Sequence, residues 1–405
     1  MPLTIVVLYN TEERVLAELR APPLSTTVTR VLSCDRAAAA AGAEGDAESA
    51  AECAVPEDAC GEFDSMRTVE AYRRFFEALG HRVVLVHGDV HAVDALRALA
   101  AAGTPADLCW NVCEGFRGLD REAQMPALLE LLGVPYTFAR PLALAVTLNK
   151  ALTKRLLQAH GLPTPAFQEF ARADEPLCAA LAGRWPLFVK PNAEGTGMGV
   201  TARSLVRTEA ELRAALRATL GAYGLTALVE EFVPGRDVTC GIVGTVGDAR
   251  GVCVLAVNEV DYAHTRLPAD LRAVAGADPD SLFYTSAIKA LRGDDFHALC
   301  PAPLPEAVTR EVQRLTVEVC RVCMARDAAR VDFRLDTRGG RLTPTVIEIN
   351  PIPGMMDESD LTICARGIGA SHEQLVDSIL AAACDRYGLA HNVSNRLQPN
   401  WPPKE

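Results

Sequence analysis

Two hydrophobic periods alternate along the chain. TIVVLY (4–9), RVVLV (82–86) and DLCWNV (107–112) are short apolar runs of strand type. Behind Ser65, MRTVEAYRRFFEAL spaces Val69, Tyr72, Phe76 and Leu79 as one helical face, and Gly80 closes it. AQMPALLELLG supplies a further helix, so the chain opens as an α/β unit. Past residue 143 the pattern predicts a helix from about Leu148 to His160, ended by Gly161 with Pro163 and Pro165 beyond. The strand WPLFVK, a glycine-rich turn, the strand GVTARSL, a helix opened by the capping box Thr208-x-x-Glu211, and the strand ALVEEFV follow. DVTCGIVG and GVCVLAVNEV then read as strands. Residues 305–326 read as a long helix with Val308, Val312, Leu315, Val319 and Cys323 along one stripe.

Two later runs alternate with period two. In ARVDFRLD, Val331, Phe333 and Leu335 fall on one face and Arg330, Asp332 and Arg334 on the other; in VIEIN, Ile347 and Ile349 oppose Glu348 and Asn350. RGG (338–340) predicts the turn that joins them as a hairpin. Carboxylates at Asp332 and Glu348 that are buried close together require a cation between them, and oxygen-only donors suit Mg²⁺. Taken alone, the stretch also fits a surface hairpin whose polar side faces water.

A chain of 405 residues exceeds one usual core and points to two or three domains. The pattern places them at 1–143 (with an Ala-, Gly- and acid-rich mobile insertion at about 33–64, to which no function attaches), 144–229 and 230–388, followed by a tail at 389–405. A net charge of −12 without a basic cluster argues against nucleic acid. No apolar run is long enough to span a membrane and no signal peptide is evident, so the expected location is the cytoplasm. The 13 cysteines are scattered through elements and read as reduced; Cys320 and Cys323 read as helix packing, not as half a zinc site.

Two further stretches carry chemistry. FVKPNAEGTGMGV joins two strands through Gly195, Gly197 and Gly199, whose bare backbone can approach phosphate, with Lys190 adding charge; it is not a P-loop, and alone it is also an ordinary turn. LVEEFVPGRDV ends a strand at Glu230 and Glu231, where backbone groups can meet an adenine edge and Asp237 can meet ribose; a solvated Glu pair is the plain alternative.

LNK (148–150), FVKPNAEGTGMGV, VEEFVPGRDVT, CPAPL (300–304), RVDF and VIEINPIPGMMDESDL, in this order and spacing, resemble the ATP-grasp superfamily and, within it, the D-alanine–D-alanine ligase family, over about residues 105–385. The resemblance implies an α/β, three-domain ATP-grasp architecture with a Rossmann-like N-terminal domain, ATP and two Mg²⁺ ions as cofactors, small carboxylate and amine substrates, and a homodimer. By position it assigns Lys150, Lys190 and the loop Glu194, Gly195, Thr196 and Gly197 to ATP phosphates. Glu230, Glu231, Phe232 and Val233 fall to adenine, Asp237 to ribose, and Asp332, Glu348 and Asn350 to metal. Arg330 would meet the substrate carboxylate and the transferring phosphoryl group, Gly354 an oxyanion, and Ser359 the second substrate. Residues 261–299 are expected to form a lid that carries Lys289.

The chain departs from the family pattern around the substrates. Ala290 follows Lys289 where the family has a tyrosine, Thr196 replaces a serine, and Glu114 sits in Cys113-Glu114-Gly115 in place of a His-Gly pair. The first strand lacks the family's glutamate signature, leaving Glu12 or Glu13 as unsupported candidates. Asp360 follows Ser359 where leucine is usual, which favours a cationic acceptor. The expectation is an amide-forming, ADP-releasing ligase acting on an amino acid or carboxylic acid other than D-alanine. The alternatives are a D-alanine–D-alanine ligase proper, a small-molecule kinase, and a nucleotide-binding module without chemistry.

Overall fold

The computed structural model describes residues 2–20, 58, 60–276, 278–391 and 396–403. Three sheets organise them. In the first, β1 (Thr4–Tyr9) is followed by α1 (Glu12–Arg20), α2 (Met66–Ala78), β2 (Arg82–His87), α3 (Ala92–Ala101) and β3 (Leu108–Asn111), with β1 central and both neighbours parallel to it. Ile5 to Leu8 are fully buried, as expected for a parallel strand covered on both faces. Ser65 caps α2 by accepting from the Thr68 N–H, and Val69, Tyr72 and Phe76 are buried. Leu79 ends the helix exposed, off the expected apolar face. α4 (Arg121–Leu132) and α5 (Pro141–Leu148) complete this part.

α6 (Lys150–Ala159) leads into a four-stranded antiparallel sheet built from β4 (Phe167–Phe170), β5 (Leu187–Pro191), β6 (Leu205–Val206) and, after α7 (Glu209–Tyr223), β7 (Ala227–Glu231), in the order β4-β7-β5-β6. GVTARSL, expected as a full strand, is a 3-10 turn followed by the two residues of β6. Half of the expected capping box forms: Thr208 accepts from the Glu211 N–H, while the Glu211 carboxylate turns to the Arg207 N–H.

The third part contains β8 (Gly235–Gly244), β9 (Val252–Val254), β10 (Asn258–Val260), α8 (Ala269–Ala275), α9 (Ser286–Lys289), β11 (Ala298–Leu299), α10 (Glu306–Val322), β12 (Ala328–Asp336), β13 (Thr343–Asn350), α11 (Asp360–Arg366) and α12 (His372–Tyr387). Its sheet runs β11-β10-β8-β12-β13, with β9 also on β8. Val312, Leu315 and Val319 of the expected stripe, with Cys323 just past the end of α10 and Cys320 beside them, pack on Val331, Phe333, Leu335 and Val346, so the cysteine pair is core. The expected lid has an apolar inner face: Leu271, Phe283 and Ile288 pack on Phe188 and Phe232. It therefore lies closed against the middle sheet. Among the described residues no helix is long and apolar enough to cross a membrane.

The first and last parts share one core, in which Val7, Phe76 and Trp110 are continuous with Leu361, Leu375 and Ile379. Asp327 fastens that junction. It is fully buried, adopts φ +64°, accepts from the Phe138 N–H at 2.7 Å and pairs with Arg386 at 2.5 Å. Removing the aspartate leaves the half-buried Arg386 guanidinium without its counter-charge and the Phe138 N–H without an acceptor. Asp327→Ala is therefore expected to destabilise the protein by about 3–5 kcal/mol in denaturant unfolding, with Asp327→Asn intermediate.

Candidate active site

β12 and β13 pair antiparallel with Asp332 directly opposite Glu348 and Arg330 opposite Asn350. Two carboxylates thus face each other across one ladder step, an arrangement that repels unless cations surround it. Lys150 at the start of α6 comes within 3.6 Å of Glu348, and Lys289 at the end of α9 within 3.9 Å. Arg330 pairs with Asp332 at 3.0 Å and with Asp360 at 3.4 Å. Thr239 of β8, opposite Asp332 on the other side, donates to it at 2.8 Å. Burial pushes the Glu348 carboxyl up, but Lys150, Lys289, Lys190 and Arg330 outweigh it and hold the group well below the usual carboxylate range.

One detail of the strand reading needs correction. The register shifts between Asp332 and Phe333, so a bulge places Val346, not Ile347, opposite Phe333. Val346 takes the core position, and Ile347 lines the cleft.

This cleft lies between the middle sheet and the β8-β12-β13 sheet. Lys150, Lys190, Glu194, Gly197, Lys289, Asp332 and Glu348 line its charged end. Phe188, Phe232, Val233, Val260, Phe283 and Phe333 line the apolar end. Gly197 turns with φ +72°, a conformation that favours glycine. Lys150 donates its Nζ to the Glu194 carbonyl. Lys190 pairs with Glu230 at 2.8 Å, and so does Lys154, which also donates to Thr164. Burial brings the Lys154 ammonium down to about 8 against the pull of Glu230. Lys154 was missed in the sequence reading, although its spacing of four from Lys150 puts both on one helix face.

At the apolar end the Glu230 and Glu231 side chains are occupied: Glu231 bridges Arg184 at 2.8 Å and Arg338 at 2.6 Å. The Phe232 N–H donates to the Pro186 carbonyl, and the Val233 carbonyl accepts from Arg334. Asp237 accepts from Arg334 at 2.6 Å and from the Tyr262 hydroxyl at 2.5 Å, both through Oδ2. Its Oδ1 takes no hydrogen bond from the described residues.

A second, outer cavity adjoins the cleft; Tyr284 and Lys289 line both. Arg330, Asn350, Gly354, Ser359, Asp360, Glu114 and Thr196 all border the outer one. Asn350 accepts from the Ile352 N–H and Ser359 from the Met356 N–H, which shape the turn around Gly354. Tyr284 stands under the Lys289 ammonium, 5.1 Å from ring centre to Nζ. Position 290 thus lacks a tyrosine while the lid still brings one, from a place with no local sequence signal. Glu12 and Glu13 lie exposed and border neither cavity.

The insertion also needs correction. Its residues 33–57 and 59 lie outside the described residues, but Asp58 and Glu62 dock on the glycine loop. Asp58 accepts from the Gly199 N–H at 2.8 Å and from the Tyr223 hydroxyl at 2.7 Å. Glu62 and Glu194 share Arg121, at 2.6 and 3.1 Å. A Cβ at Gly195 would meet Glu62 Oε1 at 1.8 Å, so the docked carboxylate lies directly against this glycine. Oxygens of Glu62, Glu114 and Glu122 converge within 4.8 Å of one another.

Three sheets, a cleft closed by a lid, and a carboxylate pair ringed by lysines and arginine define an ATP-grasp ligase. The sequence profile described as D-ala D-ala ligase C-terminus matches residues 156–381, and the chain belongs to the D-alanine–D-alanine ligase family. It is 36% identical over 309 residues to a D-alanine–D-alanine ligase of Cupriavidus metallidurans, covering 76% of this chain and 84% of that protein. Identity to an uncharacterised protein of Sinorhizobium fredii is 31% over 311 residues, with coverage of 76% and 84%. The fold matches the D-alanine–D-alanine ligase of Bacillus anthracis complexed with ATP (TM-score 0.57, 18% identity, 95% of this chain and 99% of that one). It also matches that of Coxiella burnetii (TM-score 0.57, 19% identity, 96% and 95%). Like its family, the chain is an ATP-dependent, ADP-forming carboxylate–amine ligase.

The acid cluster behind the glycine loop makes stability depend on pH. Burial raises Glu122 to about 8 and Glu194 to about 7, in each case against the pull of Arg121; Asp64 is raised to about 7. Groups raised in the folded state add stability that is fully present below the unfolded pKa, near 4.5 or lower, and is lost as pH rises through the folded value. Thermal denaturation is thus expected to show a lower Tm at pH 8.5 than at pH 6, and Glu122→Gln to flatten that slope.

Proposed function

We propose that the protein joins a carboxylate substrate to a cationic amine acceptor through an acyl phosphate, and that neither substrate is restricted to D-alanine. The carrying observation is Asp360, which is 8% exposed and borders the outer cavity beside Arg330 and Ser359. Asn258 donates to it at 3.2 Å. A small apolar acceptor gains nothing from a carboxylate at this place, whereas an acceptor with a second amino or guanidinium group does. The names of the relatives favour D-alanine itself, and that is the second reading.

ATP sits with its adenine among Phe188, Phe232 and Phe283 and its ribose at Asp237. Its phosphates lie toward Lys150, Lys190 and the loop 194–197. Asp332, Glu348 and Asn350 would hold the two magnesium ions that ligases of this family use, and these would supply charge neutralisation at the phosphates. The fit rests on the donor set, all oxygen, with the first two opposed across the ladder. A carboxylate oxygen of the first substrate, oriented by Arg330, attacks the γ-phosphorus as the bond to ADP breaks. Lys289 reaches the transferring group from the lid, and the closed lid keeps water from the acyl phosphate. The acceptor amine, as the free base, then attacks the acyl carbon near the Gly354 N–H. The carbon–oxygen bond to phosphate breaks and the nitrogen loses its proton, leaving an amide, ADP and phosphate.

ADP release over a panel of D- and L-amino acids and amines, with product mass, tests this reading. The expected result is turnover best with a cationic acceptor; D-alanine alone would establish the second reading. Asp360→Leu should lower kcat/KM for cationic relative to neutral acceptors by about ten- to a hundredfold. Glu348→Gln should cut turnover at least about a hundredfold. Normal ATP use by that variant in the presence of substrates would remove the metal assignment.

A further inference from the structure

We infer that Arg334 is a positioning residue that couples the nucleotide end of the cleft to closure of the lid. Its guanidinium is buried, with 5% exposure, and makes four hydrogen bonds to three separate parts of the chain. Nε donates to the Val233 carbonyl at 2.9 Å, Nη1 to Asp237 at 2.6 Å and to the Leu282 carbonyl at 2.8 Å, and Nη2 to the Asp280 carbonyl at 3.1 Å. The group also lies over the Phe232 ring, 5.2 Å from its centre.

A planar guanidinium has a fixed set of donor directions, so these partners cannot shift independently. Val233 belongs to the linker after β7, Asp237 to the start of β8, and Asp280 and Leu282 to the lid. Of the partners only Asp237 is charged, so the pair is neutral and the two lid carbonyls are held by an arginine whose charge is already matched. With Oδ2 of Asp237 fixed by Arg334 and Tyr262, its other oxygen is presented in one orientation. Opening the lid by way of residues 280–282 strips two acceptors from Arg334 and loosens its grip on Asp237 and Val233. A ligand held by Asp237 therefore favours the closed lid, and a closed lid favours that ligand. Thr337 adds a second lid tie, donating to Asp280 at 2.7 Å.

The inference rests on the proposed nucleotide site, so its test separates the two. Hydrogen exchange across residues 278–289 and titration with magnesium and a non-hydrolysable ATP analogue are compared in wild type, Arg334→Met and Thr337→Val. Because Arg334→Met strands Asp237, the double variant Arg334→Met with Asp237→Asn is carried alongside. The expected result is faster lid exchange even without nucleotide and analogue affinity weakened by about ten- to a hundredfold in both Arg334 variants. Thr337→Val should shift the same way by less. The ratio of ADP released to amide formed should also rise above that of wild type, which loss of global stability alone does not cause. Unchanged lid exchange in the Arg334 variants, or exchange that rises with analogue affinity and the ADP-to-amide ratio unmoved, overturns the coupling. Failure of wild type to bind the analogue overturns the nucleotide reading and leaves the lid tie to be judged by exchange alone.

Discussion

Two carboxylates held face to face across an antiparallel ladder set the terms for the rest of the molecule. At the spacing of one ladder step, Asp332 and Glu348 repel unless the surroundings supply positive charge. The chain supplies it from three places far apart in sequence: Lys150 before the middle sheet, Lys289 in the lid and Arg330 on the same strand. Each of these cations is delivered by a different structural unit. The middle part, the lid and the β8-β12-β13 sheet must therefore come together before the acid pair is compensated. Closure of the cleft completes the neutralisation of its acids.

Folding stability does not explain this concentration of charge. Burying an ion pair costs desolvation that its Coulomb attraction offsets only with good geometry, and apolar substitutes of equal size are often as stable. Yet Glu230, with 4% exposure, is gripped by both Lys154 and Lys190 directly under the cleft. Burial pushes the Glu230 carboxyl up, and the two lysines prevail to hold it down. Such a triad holds the Lys190 side chain in place on an otherwise apolar sheet. The arrangement makes sense for a surface that must present positive charge to a polyanion without itself moving.

The polar faces of ARVDFRLD and VIEIN were legible because strand alternation is a local property, and the opposed residues are those the alternation picked out. The bulge at Ile347 was not, since it depends on how many residues the partner strand sets opposite. The lid's position was legible from its breakers, but its inner face was not: Leu271, Phe283 and Ile288 are too irregularly spaced to show a period, and only Phe188 and Phe232 across the cleft reveal their side. The insertion was read as carrying no function from its composition, which is sound for its Ala- and Gly-rich stretch. Asp58 and Glu62 defeat that reading because their partners, Gly199, Tyr223 and Arg121, lie about 60 to 165 residues away. Arg334 was placed on the correct face, yet nothing local distinguishes a guanidinium that reaches the lid from one that reaches water.

Among the described residues, Tyr284 and Lys289, both from the lid, line both cavities. A group that passes from the inner to the outer cavity must cross that boundary, and Lys289 is the cation that touches both sides of it. Placing the crossing charge on a movable element has a physical consequence. With the lid away, Glu348 loses one of its near cations and the boundary opens to water together; with the lid down, the positive charge arrives as the water leaves. Electrostatic stabilisation grows as the local dielectric falls, so both changes act in the same direction and on the same atoms. A lysine fixed in the sheet would give the charge without the drying. The lid couples them, and Arg334 is one of the groups that tie it to the rest of the cleft.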